Sequence, residues 1–156
     1  MPSVKVDARN LGNALREHAR GMDAAVRAAA VDTCHRGVAA AVQMADGDGL
    51  VDQGAYKRGF RVANNIKGPE LRNDTPYAAV LEHGRRPNRP GPPVAPIREW
   101  VARKLGLSGA ELERVAWAIR TAIHKRGTRP HKIMFRTQLL MRVWFRAAVE
   151  ARLRAK

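Results

Sequence analysis

The residues best suited to chemistry are the adjacent Glu82-His83, a carboxylate beside an imidazole within NDTPYAAVLEHGRRPNRPG at 73–91. These are the side chains of general acid–base catalysis. Neighbouring residues of a helix or strand point in different directions, however, so adjacency alone makes no dyad. No serine or cysteine nucleophile stands near them in the sequence. A solvated pair at the end of a short helical turn, closed by Gly84, is the better reading. Cys34-His35 falls within a helical pattern, with Cys34 on the apolar stripe. Nothing nearby would lower the thiol pKa, so Cys34 reads as a buried structural thiol.

His18, His35, His83, His124 and His131 are scattered, and none has HExxH or HxxxH spacing. A single cysteine completes neither a zinc pair nor an internal disulfide. Neither GxxxxGK[ST] nor GxGxxG occurs, so no phosphate-cradling loop is expected. The expectation is no catalytic residue, no metal and no cofactor.

Charge is the strongest compositional signal. The 156 residues carry a net charge of +15. Residues 1–50 hold six Lys/Arg and six Asp/Glu, whereas residues 51–156 hold 23 and 8. A field concentrated in this way favours a polyanion or an acidic protein neighbour. No apolar run approaches the roughly 18 residues of a membrane span, so no membrane partner is expected. The N-terminus lacks a basic segment followed by an apolar one, the mark of a secretory signal.

The length suits one domain over residues 1–156. Leu11, Leu15, Met22, Val26, Ala30, Cys34, Val38 and Val42 predict a helix over about 7–45, with Asp7 as N-cap and Gly47 and Gly49 as breakers. Gly21 or Gly37 inside it would mark a kink or a close contact. Alternation around Phe60 and Val62, with Asn64-Asn65 and Lys67-Gly68-Pro69 as turn signals, predicts a β-hairpin over about 57–73. Tyr77–Leu81 is a short apolar turn, and the prolines at 87, 90, 92, 93 and 96 make 84–96 a stiff Pro/Arg-rich loop. Helices follow at about 96–105 from Pro96, at 108–126 with Ser108 and Glu111 as a capping box, and at 133–155. The last has Leu140, Val143, Trp144, Ala147 and Ala151 as its apolar stripe and is strongly basic. HGRRPNRP at 83–90 and RGTRPHK at 126–132 echo one another, each placing arginine and proline after a glycine at an element boundary.

Three passages, in order, resemble a tailed-bacteriophage family. Val51-Asp52-Gln53-Gly54-Ala55-Tyr56 is similar to its V-D-T-G-x-L entry into the first strand, with Gln53 and Tyr56 as departures. Thr75-Pro76-Tyr77-Ala78-Ala79-Val80-Leu81-Glu82-His83-Gly84 is similar to x-x-Y-A-x-x-V-E-x-G-T/R, with Leu81 in place of Val. Ala116–Ile119 through Gly127-Thr128-Arg129-Pro130 to Met134-Phe135 resembles the helix, glycine turn and short anchor before the family's final helix. The family is that of the phage neck: head–tail connector and tail-completion proteins.

The resemblance implies an α+β subunit with a long N-terminal helix packed on a small antiparallel sheet, followed by three further helices. It implies a non-enzymatic virion protein, made in the host bacterial cytoplasm and located at the neck between head and tail. Its partners would be further copies of itself in a ring, the portal or an adaptor protein, and the tail tube or tail terminator. Contact with packaged DNA would be nonspecific proximity, and a small basic nucleic-acid-binding protein is the alternative. Arg85, Arg86, Arg89 and Arg129 are the expected subunit or partner contacts, since arginine is enriched at interfaces. Trp100 and Phe135 would anchor the packing behind them, and Tyr77 and Glu82 would position the loop.

Overall fold

The computed structural model describes residues 8–50 and 54–155. The expected N-cap Asp7 and the Val51-Asp52-Gln53 part of the first motif lie outside these, as does the side chain of Leu11. The elements are α1 (Ala8–Gly47), α2 (Ala55–Arg58), β1 (Phe60–Asn65), β2 (Gly68–Asn73), α3 (Ala78–His83), α4 (Val94–Leu105), α5 (Gly109–Arg126) and α6 (Ile133–Arg154). The fold is α+β, with α1 packed on a two-stranded antiparallel sheet.

α1 and α6 form an antiparallel pair. Asp48, Gly37, Arg36 and Asp32 meet Arg136, Met141, Trp144 and Arg152 in turn, so the numbers run in opposite directions. Small residues let the backbones approach. A Cβ added at Gly37 would lie 2.7 Å from the Met141 sulfur, so this glycine marks the close contact that its position inside the helix suggested. Ala25, Ala29, Ala41 and Ala45 are all buried along the same helix. The Arg36 guanidinium lies 4.4 Å from the centre of the Trp144 ring, and Arg152 pairs with Asp32. α6 therefore ends alongside residues 25–32 of α1, and the first part of α1 runs on past it as an arm.

On its other side α1 covers the hairpin. Ala41 and Ala45 pack with Tyr56, Phe60 and Ile133, surrounded by Val38, Val42, Leu50, Leu71, Ala78, Leu81 and Met134. β1 and β2 pair in register from Phe60↔Asn73 to Asn65↔Gly68. At the turn the Asn65 side-chain oxygen accepts the Lys67 N–H at 2.7 Å, the local bond that makes asparagine a turn residue. α4 and α5 pack on each other as a separate helical hairpin.

Several boundaries differ from expectation. α1 continues through Gly47 and stops in the Asp48-Gly49 turn, where Leu50 N–H returns to the Ala45 carbonyl. Strand β1 begins at Phe60 because residues 55–58 make one helical turn first. α4 starts at Val94, which puts Pro96 inside its first turn, where no backbone donor is missed. The capping box does not form: Ser108 makes no side-chain cap, and Glu111 lies 3.8 Å from Arg114 instead. Gly109 takes φ +57 there, so the chain enters α5 with its first amides turned from the hydroxyl. On α6 the buried face is Ile133, Thr137, Met141 and Trp144, while Leu140 and Val143 are exposed. That helix carries two apolar stripes and only one meets α1.

Tyr56 is buried with its hydroxyl unpartnered, and its ring meets Phe60 edge-on at 5.0 Å. Burial first, then the Glu82 carboxylate, pushes the phenol pKa up to about 12. The side chain thus serves as a large apolar body at a position where the resembled motif carries leucine. Tyr56→Phe should unfold at the same or higher urea concentration, because it removes only an unsatisfied hydroxyl. Tyr56→Ala should lose about 3–5 kcal/mol through the cavity it leaves. Urea titration followed by circular dichroism measures both.

Candidate functional site

The two echoed loops cross each other. Each leaves the end of a helix through a glycine: Gly84 after α3, with φ 70 and ψ −173, and Gly127 after α5, with φ 70 and ψ −164. The next residues, Arg85 and Thr128, form an antiparallel bridge. Arg85 N–H donates to Thr128 O at 3.0 Å and Thr128 N–H to Arg85 O at 2.9 Å. Gly84-Arg85-Arg86-Pro87 and Gly127-Thr128-Arg129-Pro130 are therefore related by a local pseudo-twofold.

The steric evidence is equally symmetric. A Cβ on Gly84 would sit 2.5 Å from Thr128 O and 2.8 Å from Pro130 N. A Cβ on Gly127 would collide with Arg85 O and sit 3.0 Å from Pro87 N. Glycine is required at both positions twice over, by positive φ and by the approach of the other backbone.

Glu82 fastens this crossing to α6. Its carboxylate accepts the N–H of Met134 at 2.8 Å and of Phe135 at 2.9 Å, two of the donors a helix start leaves unpaired. Lys132, the residue before α6, is left-handed and provides no side-chain cap. Glu82 performs the N-cap's task from 50 residues away in sequence, and its charge lies at the positive end of the helix dipole. Leu81 O accepts the His131 N–H at 2.8 Å. His131 Nδ1 lies 3.1 Å from the Asp48 carboxylate, which also receives Arg136 at 3.1 Å. The His131 hydrogen bond first, then Arg136, holds the Asp48 carboxyl below the usual aspartate range.

These bonds decide how the expected site residues stand. Both Glu82 oxygens are engaged by backbone donors, while His83 is exposed. Tyr77 is half-exposed against Tyr56, with ring centres 6.2 Å apart, and its carbonyl starts α3 by accepting Val80 and Leu81 N–H. Arg85 turns inward and clasps the Pro90 carbonyl. Arg86, Arg89 and Arg129 are exposed, and among the described residues their guanidinium groups have no hydrogen-bond or ion-pair partner. Trp100 and Phe135, expected to anchor packing, are 39% and 52% exposed; they stand at the surface because Val101 and Ile133 beside them take the buried positions.

Sequence reasoning missed two further loop holders. His124 Nδ1 lies 2.7 Å from Arg89 O, and His124 O accepts Asn88 N–H at 2.7 Å. Arg120 donates to Pro92 O at 3.2 Å and lies against Gly91. The proline loop is thus bound along α5.

Beside the crossing lies an open groove of about 620 Å³ between β2, α3 and α6, whose apolar floor includes Leu71, Ala78, Met134 and Met141. Phe135, Glu82 and His83 line it too. Among the described residues there is no cluster of three potential metal ligands, and no helix is long and apolar enough to cross a membrane. Comparison with protein-family models, curated proteins and solved structures gave no match.

Glu82→Ala should cost about 1–3 kcal/mol by orphaning two helix donors, and Glu82→Gln, which retains one acceptor, should cost less. Urea titration checks the order. Asp48 titrates lower in the folded chain than in the unfolded one, so it stabilises fully above the ordinary carboxylate range. That stabilisation is lost as pH falls through its folded pKa. Asp48→Asn should therefore flatten the acid limb of a plot of melting temperature against pH.

Proposed function

We propose that this protein is a virion structural subunit of a tailed phage or prophage, which forms a ring at the neck and joins head to tail without catalysis. The observation that carries the reading is the direct contact of two stretches that resemble the neck family. Glu82 of the second caps Met134 and Phe135 of the third, and Gly84 and Gly127 interlock between them. The resembled residues thus make one structural unit, consistent with a shared fold rather than a chance run of letters.

The surface supports an assembly role. A ring subunit needs two different faces for its neighbours, and further loops for the layers above and below. Leu15, Phe135, Leu139 and Val143 are exposed apolar side chains on two helices. The crossed loops hold Arg86, Arg89 and Arg129 ready in a scaffold already fixed by backbone bonds. Such preorganisation reduces the entropy lost on docking, and guanidinium groups suit carboxylates of a portal, adaptor, tail-tube or terminator protein.

Mixing the purified protein with portal and tail proteins, followed by electron microscopy and mass measurement, tests the reading. Closed rings attached to either partner are expected. A monomer that ignores both partners and binds duplex DNA with a steep salt slope would overturn it in favour of a nucleic-acid-binding protein. The double variant Arg86→Glu, Arg129→Glu should lose partner attachment while its melting temperature stays close to that of the parent, since both side chains are exposed and, among the described residues, unpaired.

A further inference from the structure

The outer face of α5 sets an aromatic ring beside open cations. Leu112, Ala116, Ile119 and Ile123 make the buried or half-buried side of this helix, which packs on α4. At about 100° per residue, Arg114, Thr121 and Lys125 fall within about 40° of one another on the opposite side, and all three are exposed. With Trp117, Ala118, Ala122 and Arg126 they line an open groove of about 530 Å³.

Trp117 is 47% exposed, and its ring is oriented by Arg120. That guanidinium lies 5.1 Å from the ring centre, and it donates in turn to Pro92 O at 3.2 Å. The proline loop thus fixes the indole, through Arg120, as a preset platform, so little freedom is lost when a flat group stacks on it. Lys125 and Arg126 have no hydrogen-bond or ion-pair partner among the described residues, while Arg114 shares its charge with Glu111 at 3.8 Å. Both free cations stand in the last turn of α5, where they also complement the helix dipole. The dipole accounts for the cations but not for the exposed indole beside them. Residues 114–149 carry nine Lys/Arg and no Asp or Glu, so the chain around the Lys125 end of the groove supplies no compensating carboxylate and favours an anionic neighbour.

An acidic protein segment and a nucleic acid both answer that charge. A protein contact gains most from large side chains buried in fitted pockets, and the floor here is Ala118, Thr121 and Ala122, with Trp117 as the one large apolar side chain of the lining. Single-stranded nucleic acid asks for what the groove has, cations along the backbone and an aromatic face for a base. A duplex keeps its base faces stacked inside and would leave the indole unused.

We infer that the outer groove of α5 binds single-stranded nucleic acid without sequence preference. A base stacks on Trp117, and Lys125 and Arg126 meet phosphates. Trp117 and Lys125 lie about 12 Å apart along the helix axis, so the base and the phosphates come from different nucleotides of one strand. The site goes beyond the neck reading and does not use the crossed loops.

Fluorescence anisotropy of a labelled oligothymidylate of about twenty nucleotides, at about 50 mM salt, tests the groove in the full chain. Lys125→Glu and Trp117→Ala are each expected to weaken binding roughly tenfold, while Trp117→Phe, which keeps a ring, stays within about threefold of the parent. Stacking has its own signature: the oligonucleotide quenches tryptophan emission, and Trp117→Phe abolishes the quenching although Trp100 and Trp144 remain. Arg142→Glu makes the same charge change at an exposed position of α6, and its effect is expected to stay below about threefold. Circular dichroism confirms that each variant is folded.

Absence of binding at this salt would overturn the inference. So would an equal loss from Arg142→Glu and Lys125→Glu, which marks net charge alone, or unchanged affinity in Trp117→Ala. Tighter binding of a duplex of the same length would replace the site with a duplex surface, and displacement of the oligonucleotide by polyglutamate at equal charge would replace it with an acidic-protein surface. Ring assembly and attachment to portal and tail proteins are measured without nucleic acid, so the neck reading is decided separately.

Discussion

The crossing of two glycine turns is the constraint on which the other parts depend. α3 and α5 both end where the chain must turn sharply, and each turn occupies the space that a side chain at the other would need. Two backbone hydrogen bonds close the crossing, and the Glu82 carboxylate extends it to the first amides of α6. Because α6 is anchored at that end, Ile133 is held in the core with Ala41, Ala45, Tyr56 and Phe60. The direction in which α6 then runs along α1 follows from the anchor. The α4–α5 hairpin leaves and returns through the same crossing, which fixes its base without a large apolar interface to the rest.

That arrangement suits a chain poor in large apolar residues. Alanine buries little surface, so burial of one such side chain contributes less than that of leucine or phenylalanine. What alanine and Gly37 provide is approach, and close helix contact recovers dispersion energy over many atoms. Directional bonds then carry more of the specification. Asp48 joins the end of α1 to His131 and Arg136, and the two Glu82 bonds join α3 to α6. Most of these groups are partly exposed, so their value lies in defining one geometry more than in raw stability.

The elements were legible in the sequence because their signals are local. Hydrophobic period showed α1, α4 and α5, turn residues showed the hairpin, and the proline run showed the loop. Caps were less legible. Ser108 and Glu111 have the spacing of a capping box but enter α5 through a left-handed glycine, while the cap that exists comes from Glu82, far away in sequence. No local pattern encodes a partner 52 residues distant. The echo of HGRRPNRP and RGTRPHK was visible as letters, but their crossing was not, since it exists only once α5 returns to α3. The α6 stripe misled for another reason: a helix with two apolar faces has the same period on both, and only the partner selects the buried one. Arg85 and Arg86 are adjacent and chemically identical, yet one clasps a carbonyl and the other faces solvent.

The charge distribution constrains any assembly of this chain. Copies carrying +15 each repel one another at close range, so a subunit interface made of facing basic surfaces would oppose its own formation. Many arginines are already engaged within the fold: Arg61 with Asp74, Arg98 with Glu113, Arg136 with Asp48 and Arg152 with Asp32. Among the described residues Arg86, Arg89 and Arg129 are left open at the crossed loops. Apolar contact between copies bears no charge penalty, whereas open guanidinium groups gain most from a partner of opposite sign. The two kinds of surface therefore suit different neighbours, apolar ones for the exposed helix faces and acidic ones for the arginine loops.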